Sequence, residues 1–123
     1  MGKTERIKTA VRGEVYLVNF DPTIGAEIQK TRPALIIQND ISNRHSPITI
    51  VAAITSKFDE KLYPTEVLIA ANEGGLKLDS VVLLNQIRSI DEKRLIRCLG
   101  KISGKTLKKV DMALKISLGL IDI

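Results

Sequence analysis

Six short apolar runs, separated by turn-forming residues, restrict this chain to a fold built mainly of short β-strands. Asp21-Pro22 ends the first run, and Asn72-Glu73-Gly74-Gly75 marks a turn between two later ones. Gly, Pro, Asn and Asp favour turns, and several short strands joined by tight turns favour a sandwich or a barrel. The predicted strands span residues 14–20, 34–38, 48–55, 66–70, 80–90 and 95–102.

The end of the chain has a different periodicity, which predicts one helix. Ser103 can cap this helix at its start through its side-chain oxygen. The strands and the helix together predict a mainly β protein with some α-structure, folded as a small and strongly bent β-barrel. The apolar residues that recur at roughly helical spacing are Leu107, Val110, Ala113, Leu114, Ile116, Leu118, Leu120 and Ile121.

Length and composition predict one domain with an aliphatic core. The chain has 123 residues, which we interpret as a single domain over 1–123, with residues 1–11 forming a flexible basic arm. Aromatic residues make up only 3% of the chain and Trp is absent, so a row of stacking rings is not expected. No run reaches transmembrane length and no apolar signal segment opens the chain, so we expect a cytoplasmic protein.

The net charge of +5 suits an anionic partner, but its distribution weakens that inference. Residues 1–12 carry four Lys and Arg against one acid, and residues 91–123 carry eight against four. The middle, residues 13–90, carries seven against nine and is therefore slightly acidic. From charge alone, ordinary solubilising charge is the better explanation.

Scarce histidine and cysteine exclude most familiar catalytic arrangements. His45 is the only histidine and Cys98 the only cysteine, so a disulfide, a histidine pair and a His/Cys zinc shell are all disfavoured. Cys98 lies in an apolar run and is expected to be buried, and His45 lies in a turn-rich segment and is expected to be structural. Arginine, threonine, serine and carboxylates remain for catalysis.

Those residue types suffice to cleave RNA through its own 2′-hydroxyl, because the substrate then carries the nucleophile. Arg32 precedes Pro33, so it is held extended, and its planar guanidinium can donate two hydrogen bonds to a phosphate. Thr55 ends a strand and can add another hydrogen bond, while Glu27 can accept a proton or orient the arginine. Taken alone, Arg32 is better explained as a surface arginine at a loop end and Thr55 as a β-branched strand residue. The alternative for Glu27 is a solvated loop charge.

Several strings taken together resemble the MazF/PemK family of toxin endoribonucleases, over almost the whole chain from Arg12 onward. No single string is decisive, but their order and spacing are those of the family. The closing helix with Lys109-Val110-Asp111 also fits. The matched strings are Arg12-Gly13-Glu14-Val15-Tyr16, Gly25 with Glu27, Thr31-Arg32-Pro33, Gln38-Asn39-Asp40, the strand ending in Thr55, Pro64-Thr65, Asp79-Ser80-Val81 and Gln86-Ile87-Arg88.

This resemblance implies an SH3-like barrel of the PemK/CcdB type that forms a homodimer. It implies a type II toxin that cuts single-stranded RNA at short specific sequences, without a metal, another cofactor or the ribosome. The expected ends are a 2′,3′-cyclic phosphate and a 5′-hydroxyl, and a cognate MazE-like antitoxin with an acidic flexible tail is the expected inhibitor. By position, Arg32 and Thr55 are the catalytic pair and Glu27 a helper, and the RNA-binding residues are Lys30, Thr31, Ser56, Gln86 and Arg88.

Three features depart from the family pattern, of which the first is a basic N-terminal arm longer than usual, and two other functions remain open. The loop reads Ile28-Gln29-Lys30 where some members have small residues, and Asn85 stands where an acid is common. Because loops carry specificity on a rigid scaffold, the cleavage sequence is left undetermined. The alternatives are a non-enzymatic CcdB-like toxin that binds a protein such as gyrase, and an RNA-binding barrel without catalysis.

Overall fold

A computed structural model of the protein describes residues 9–20 and 31–122. The order of elements confirms the six predicted strands and the helix near the end of the chain. The second strand begins three residues earlier than predicted, at Thr31. The elements are β1 (Glu14–Asn19), β2 (Thr31–Ile36), α1 (Asp40–His45), β3 (Ile48–Thr55), β4 (Glu66–Ile69), β5 (Ser80–Asp91), β6 (Leu95–Lys101) and α2 (Gly104–Ser117), with 3₁₀ turns at Glu73–Gly75 and Glu92–Arg94.

The six strands form one antiparallel sheet in the order β4-β5-β3-β2-β1-β6. Its central strands carry buried apolar side chains on both faces, as predicted for the first strand. Val15 belongs to one core cluster with Leu35 and the α2 residue Val110, whereas Tyr16 and Val18 belong to a second cluster. Successive side chains of a strand point to opposite faces, so the two clusters cover the two sides of β1.

The bent sheet matches the predicted fold class, but hydrogen bonds do not close it into a complete barrel. Among the described residues, β4 and β6 are the two edges and do not pair. The 3₁₀ turn after β4 packs against β6 instead, backbone to backbone. A Cβ on Gly100 would lie 2.6 Å from the carbonyl carbon of Gly74, so only glycine permits this approach. Helix α2 contacts β4 and β5 and covers the remaining core.

Helix α2 ends earlier than the apolar spacing suggests. The spacing continues to Ile121, but the helix ends at Ser117, because Gly119 adopts a left-handed conformation with φ of +75°. The amide of Gly119 donates to the carbonyl of Ile116, and the amide of Leu120 donates to that of Lys115. This is a Schellman motif, which satisfies the last carbonyls of a helix and turns the chain away.

The segment Gln38-Asn39-Asp40 holds the short helix α1 in place. The side chain of Asn39 accepts a hydrogen bond from the amide of Ser42 and so caps the helix. The buried Asn43 accepts hydrogen bonds from Gln38 and from the hydroxyl of Thr49 on β3. These polar residues are therefore explained by the fold.

The predicted terminal arm lies mostly outside the described residues, since residues 1–8 are not among them. Its described end is packed. Ala10 is buried in the second core cluster, and the amide of Val11 donates to a carboxylate oxygen of Glu14 at 2.7 Å. A flexible arm over residues 1–8 stays a prediction. Among the described residues, no helix is long and apolar enough to cross a membrane.

Candidate active site

The register of two neighbouring strands brings Arg32 and Thr55 together. Ala34 on β2 lies opposite Ala53 on β3, and Leu35 lies opposite Ala52. The pairing of β2 with β3 ends at Ala34 and Ala53, and Arg32 and Thr55 each lie two residues further, where β2 begins and β3 ends. Paired residues project from the same face of a sheet, and so do residues two apart on one strand. The two predicted catalytic residues therefore share one face at one end of the sheet.

The Thr55 hydroxyl is oriented by the chain that follows it. Its oxygen accepts a hydrogen bond from the amide of Lys57 at 3.1 Å, and the hydroxyl donates to the carbonyl of Lys57 at 3.3 Å. The first bond fixes the position of the oxygen. The second is long, so rotation of the hydroxyl can redirect its hydrogen to a phosphate oxygen without moving the residue.

Arg32 is exposed and has its donors available. Within residues 9–20 and 31–122, no hydrogen bond or ion pair engages its guanidinium. Its backbone is held by β1, where Val18 lies opposite it. A fixed backbone with a free guanidinium suits the capture of an anion from solution.

Two open depressions meet at the Arg32–Thr55 pair. The first has a volume of about 640 Å³ and the second about 460 Å³, within the range of ligand-sized clefts. Both are lined by Arg32, Ile54, Thr55 and Lys57. The first is further lined by Ala53, Phe58, Asp59, Lys61, Tyr63, Glu66, Leu83 and Gln86, and the second by Thr31, Pro33, Ser56, Leu76, Lys77, Leu78 and Ser80.

Positive charge is concentrated at these depressions although the middle of the sequence is slightly acidic. Arg32, Lys57 and Lys61 line the first depression, together with two carboxylates, Asp59 and Glu66. Among the described residues, the second is lined by Arg32, Lys57 and Lys77 and by no acid. Most of the described cations of residues 13–90 thus line the two depressions while most of the described acids do not, which the linear count could not reveal.

A bulge in β5 places Gln86 in the first depression. Ala52 on β3 pairs with Ile87, but the next residue, Ala53, pairs with Leu83, so three residues of β5 have no partner on β3. Such a bulge bends the strand and redirects its side chains. Gln86 is one of the three, and its exposed amide faces the depression that contains Arg32.

Arg88 is placed differently from Gln86. Its guanidinium carbon lies 5.2 Å from the ring centre of Phe20, which is a cation–π contact. Arg88 lines neither of the two depressions. The alternation along the strand predicted a shared face for Gln86 and Arg88, but the structure gives them different neighbours, because Gln86 lies within the bulge whereas Arg88 pairs regularly with Val51 on β3.

The remaining predicted site residues divide into two groups. Thr31 and Ser56 line the second depression beside Arg32. Glu27 and Lys30 lie outside the described residues, so their predicted functions stay predictions. His45 is exposed in the last turn of α1 and lines neither depression. Cys98 is half-buried beside the second core cluster.

Sequence reasoning missed the loop between β3 and β4. It supplies Lys57, Phe58, Lys61 and Tyr63 to the first depression, and the segment before β5 supplies Lys77 to the second. One signal was present: two of the few aromatic residues lie close together in a charged segment. Within the described residues, no group of three His, Cys, Asp or Glu side chains is arranged to hold a metal ion.

Comparison with known proteins gives one consistent result. Residues 11–118 match the family described as PemK-like, MazF-like toxin of type II toxin–antitoxin system. Endoribonuclease EndoA of Bacillus subtilis is 49% identical over 111 residues, which are 90% of this chain and 96% of that protein.

Solved structures from Deinococcus radiodurans share the fold. A MazE–MazF structure has a TM-score of 0.78 at 28% identity, covering 93% of this chain and 99% of the other. A MazF structure has a TM-score of 0.73 at 29% identity, covering 91% and 98% of the two chains.

Proposed function

Because the chain belongs to the PemK-like, MazF-like family of type II toxins, as its motifs predict, we propose that it is an endoribonuclease that cleaves single-stranded RNA. The observation that carries the proposal is that Arg32 and Thr55 both line each of two neighbouring cationic depressions. EndoA, the relative that is 49% identical, is named an endoribonuclease. A strand of RNA lying across the pair would extend into both depressions.

In the proposed reaction the 2′-hydroxyl of RNA attacks the adjacent phosphorus. The 2′-oxygen–phosphorus bond forms, the bond from phosphorus to the 5′-oxygen breaks, and a proton passes from the nucleophile to the leaving oxygen through the site. The products are a 2′,3′-cyclic phosphate and a 5′-hydroxyl. Arg32 donates to the phosphate oxygens and stabilises the charge that builds up on them, so the step runs without a metal. Glu27 is the proposed helper for proton transfer.

The hydroxyl of Thr55 adds a further hydrogen bond to the scissile phosphate. It is well suited to this function because the amide of Lys57 already holds its oxygen. Preorganised donors of this kind stabilise the transition state efficiently, because they need no reorganisation during the reaction. Thr31, Ser56 and Gln86 line the depressions and are proposed to bind the flanking nucleotides. Lys30 and Arg88 are proposed to bind RNA as well.

An active endoribonuclease would cleave the RNA of its own host cell, so it needs an inhibitor. The Deinococcus relative was solved as a MazE–MazF structure. We therefore propose that a cognate MazE-like antitoxin binds this chain, and that its acidic tail is attracted by the four cations at the site. A homodimer and a cytoplasmic location complete the proposal.

The first test is incubation of the purified protein with a long single-stranded RNA in EDTA, followed by mapping of the ends. We expect discrete cuts with a 5′-hydroxyl, which are lost in Arg32→Ala. Arg97→Ala is the matched control, since Arg97 is exposed on β6 and lines neither depression. Intact RNA from folded, antitoxin-free protein would contradict the proposal and would favour a toxin that binds a protein target such as gyrase.

A further inference from the structure

The few aromatic residues of this chain are unevenly distributed. There are two Tyr, two Phe and no Trp in 123 residues. Tyr16 is buried in the core, at 6% exposure. Phe58 and Tyr63 are exposed at 38% and 69%, and both line the depression that contains Arg32 and Thr55. Half of the Tyr and Phe residues therefore face one open cleft, while Tyr16 and Phe20 belong to or pack against the second core cluster.

The fold gives no reason for these two rings to be exposed. Neither belongs to a core cluster or packs against one as a partly buried neighbour. The backbone amide of Tyr63 donates to Glu66, so the turn is held by its main chain and needs no aromatic side chain. Large exposed apolar side chains that cluster in a cleft commonly mark a binding site.

The surroundings of the rings indicate the ligand. Lys57 and Lys61 lie on the same loop, and Gln86 lines the same depression from β5. Rings for stacking beside cations for the backbone are the combination that binds single-stranded nucleic acid. An amide, which both donates and accepts, can form hydrogen bonds with the edge of a base. Of the residues that the structure describes, none that lines the second depression, with Lys77 and Ser80, is aromatic.

We propose that Phe58 and Tyr63 form a stacking subsite for one unpaired nucleobase next to the scissile phosphate, with Gln86 contacting the edge of that base. This inference rests on the proposed endoribonuclease function. It also defines the orientation of the bound RNA. One base stacks on one side of the Arg32–Thr55 pair, whereas the second depression holds backbone phosphate. The two rings are binding residues, and the chemistry remains with Arg32 and Thr55.

The test uses a short RNA with the mapped cleavage sequence, in which 2-aminopurine replaces one base at a time. A 2′-deoxy sugar at the cleaved nucleotide removes the nucleophile, so that binding is measured without cleavage. Stacking on an aromatic ring quenches 2-aminopurine, and the protein contains no Trp to interfere. We expect strong quenching at one position on one side of the cleavage point.

Variants of the two rings then locate the stacked base. Phe58→Leu and Tyr63→Leu keep an apolar side chain and should lose the quenching, with Kd about 10-fold higher. Tyr63→Phe keeps the ring and should behave like the wild type. Leu120→Ala changes an exposed apolar residue elsewhere and controls for general effects. On cleavable RNA, the Leu variants should raise KM with kcat nearly unchanged, as loss of uniform binding does.

The two proposals fail in different ways. If the wild type cuts RNA but both Leu variants match its Kd, KM and quenching, the stacking subsite is wrong and the endoribonuclease proposal stands. If the folded wild type neither cuts nor binds RNA, both are wrong. Thermal unfolding of each variant confirms that it is folded, which is expected because both residues are exposed in a loop.

Discussion

Single residues at the site are defined by the hydrogen bonds they already make and by those they leave available. Thr55 is tied to Lys57 through its own oxygen, and the Arg32 guanidinium has no partner in the described part of the chain. One residue is preorganised and the other is free to take a ligand. The two therefore respond differently to conservative substitution.

Thr55→Val should lower the single-turnover cleavage rate about 100-fold, because it removes a hydrogen-bond donor aimed at developing charge while keeping the shape. Thr55→Ser keeps the hydroxyl and should retain most of the rate. Quenched-flow or manual time courses on the mapped RNA sequence measure both rates. Equal rates for Val and Ser would show that the hydroxyl does not act in the reaction.

Arg32→Lys should fail to restore activity although it keeps the positive charge. A lysine ammonium is a point charge and lacks the planar pair of donors that fits two phosphate oxygens. We expect a rate at least about 100-fold below wild type, close to that of Arg32→Ala. A Lys variant within a few-fold of wild type would mean that charge alone is sufficient.

At the scale of elements, the start of helix α2 is held by a carboxylate from another segment. Ser103 caps the helix by accepting from the amide of Thr106, and Glu73 accepts from the amide and the hydroxyl of Ser103. Burial alone would raise the pKa of Glu73. The hydrogen bonds from Ser103 and Thr106 and the charge of Lys109 outweigh it and lower the pKa below the ordinary 4.5.

Glu73→Gln should therefore destabilise the protein at neutral pH and lose this effect in acid. A folded-state pKa below the unfolded one stabilises the fold above the unfolded pKa, and this stabilisation disappears as pH falls through the folded pKa. Urea unfolding of both proteins at several pH values between 7 and acid measures the difference. A wild-type-to-variant difference that stays constant down to low pH would contradict the prediction.

At the scale of the whole molecule, the edge strand β6 contacts the 3₁₀ turn after β4 through a close approach of two glycines. Gly100 on β6 faces Gly74 across a gap that has no room for a Cβ. The ion pair between Arg12 and Asp111, at 2.6 Å, joins the start of the described chain to α2 on the same molecule. Closure of the fold depends on such contacts between distant segments.

Gly100→Ala should lower the free energy of unfolding by about 1–3 kcal/mol, because the added methyl group forces two backbones apart. Gly104→Ala is the matched control: nothing lies within 4 Å of a Cβ there, and alanine favours the helix. We expect the control to be neutral or slightly more stable. Chemical denaturation of both variants measures the change, and equal stabilities would contradict the proposed close approach.

The affinity for RNA should fall as salt concentration rises, because lysine and arginine side chains line both depressions. Lys77→Gln should reduce the slope of log Kd against log salt concentration by about 0.7, as expected for one phosphate contact on a single strand. Lys108→Gln, on the exposed face of α2, lines neither depression and should leave the slope unchanged. Titrations of the 2′-deoxy RNA at several salt concentrations measure Kd and hence the slope for each variant. Equal slopes for the two variants would show that Lys77 does not contact an RNA phosphate.

The sequence by itself determined the elements, since strand, helix and turn propensities are local. The run from Ile48 to Thr55 has the predicted ends, and Ser103 caps the predicted helix. The family motifs identified Arg32 and Thr55 as candidates, because the sequence itself contains those motifs and their order. Gly119 is a local signal for the end of the helix as well, although the apolar spacing alone predicted a longer helix.

Only the tertiary structure decided which residues meet. The pairing of β2 with β3 brings Arg32 and Thr55 to one end of the sheet, and the bulge in β5 brings in Gln86, whereas Arg88 lies over Phe20. Both depend on pairing between segments far apart in the chain, which no local pattern encodes. The same is true of the loop that brings Phe58 and Tyr63 to the cleft. Charged and aromatic residues that look unremarkable when counted along the chain line one cleft once the strands are paired.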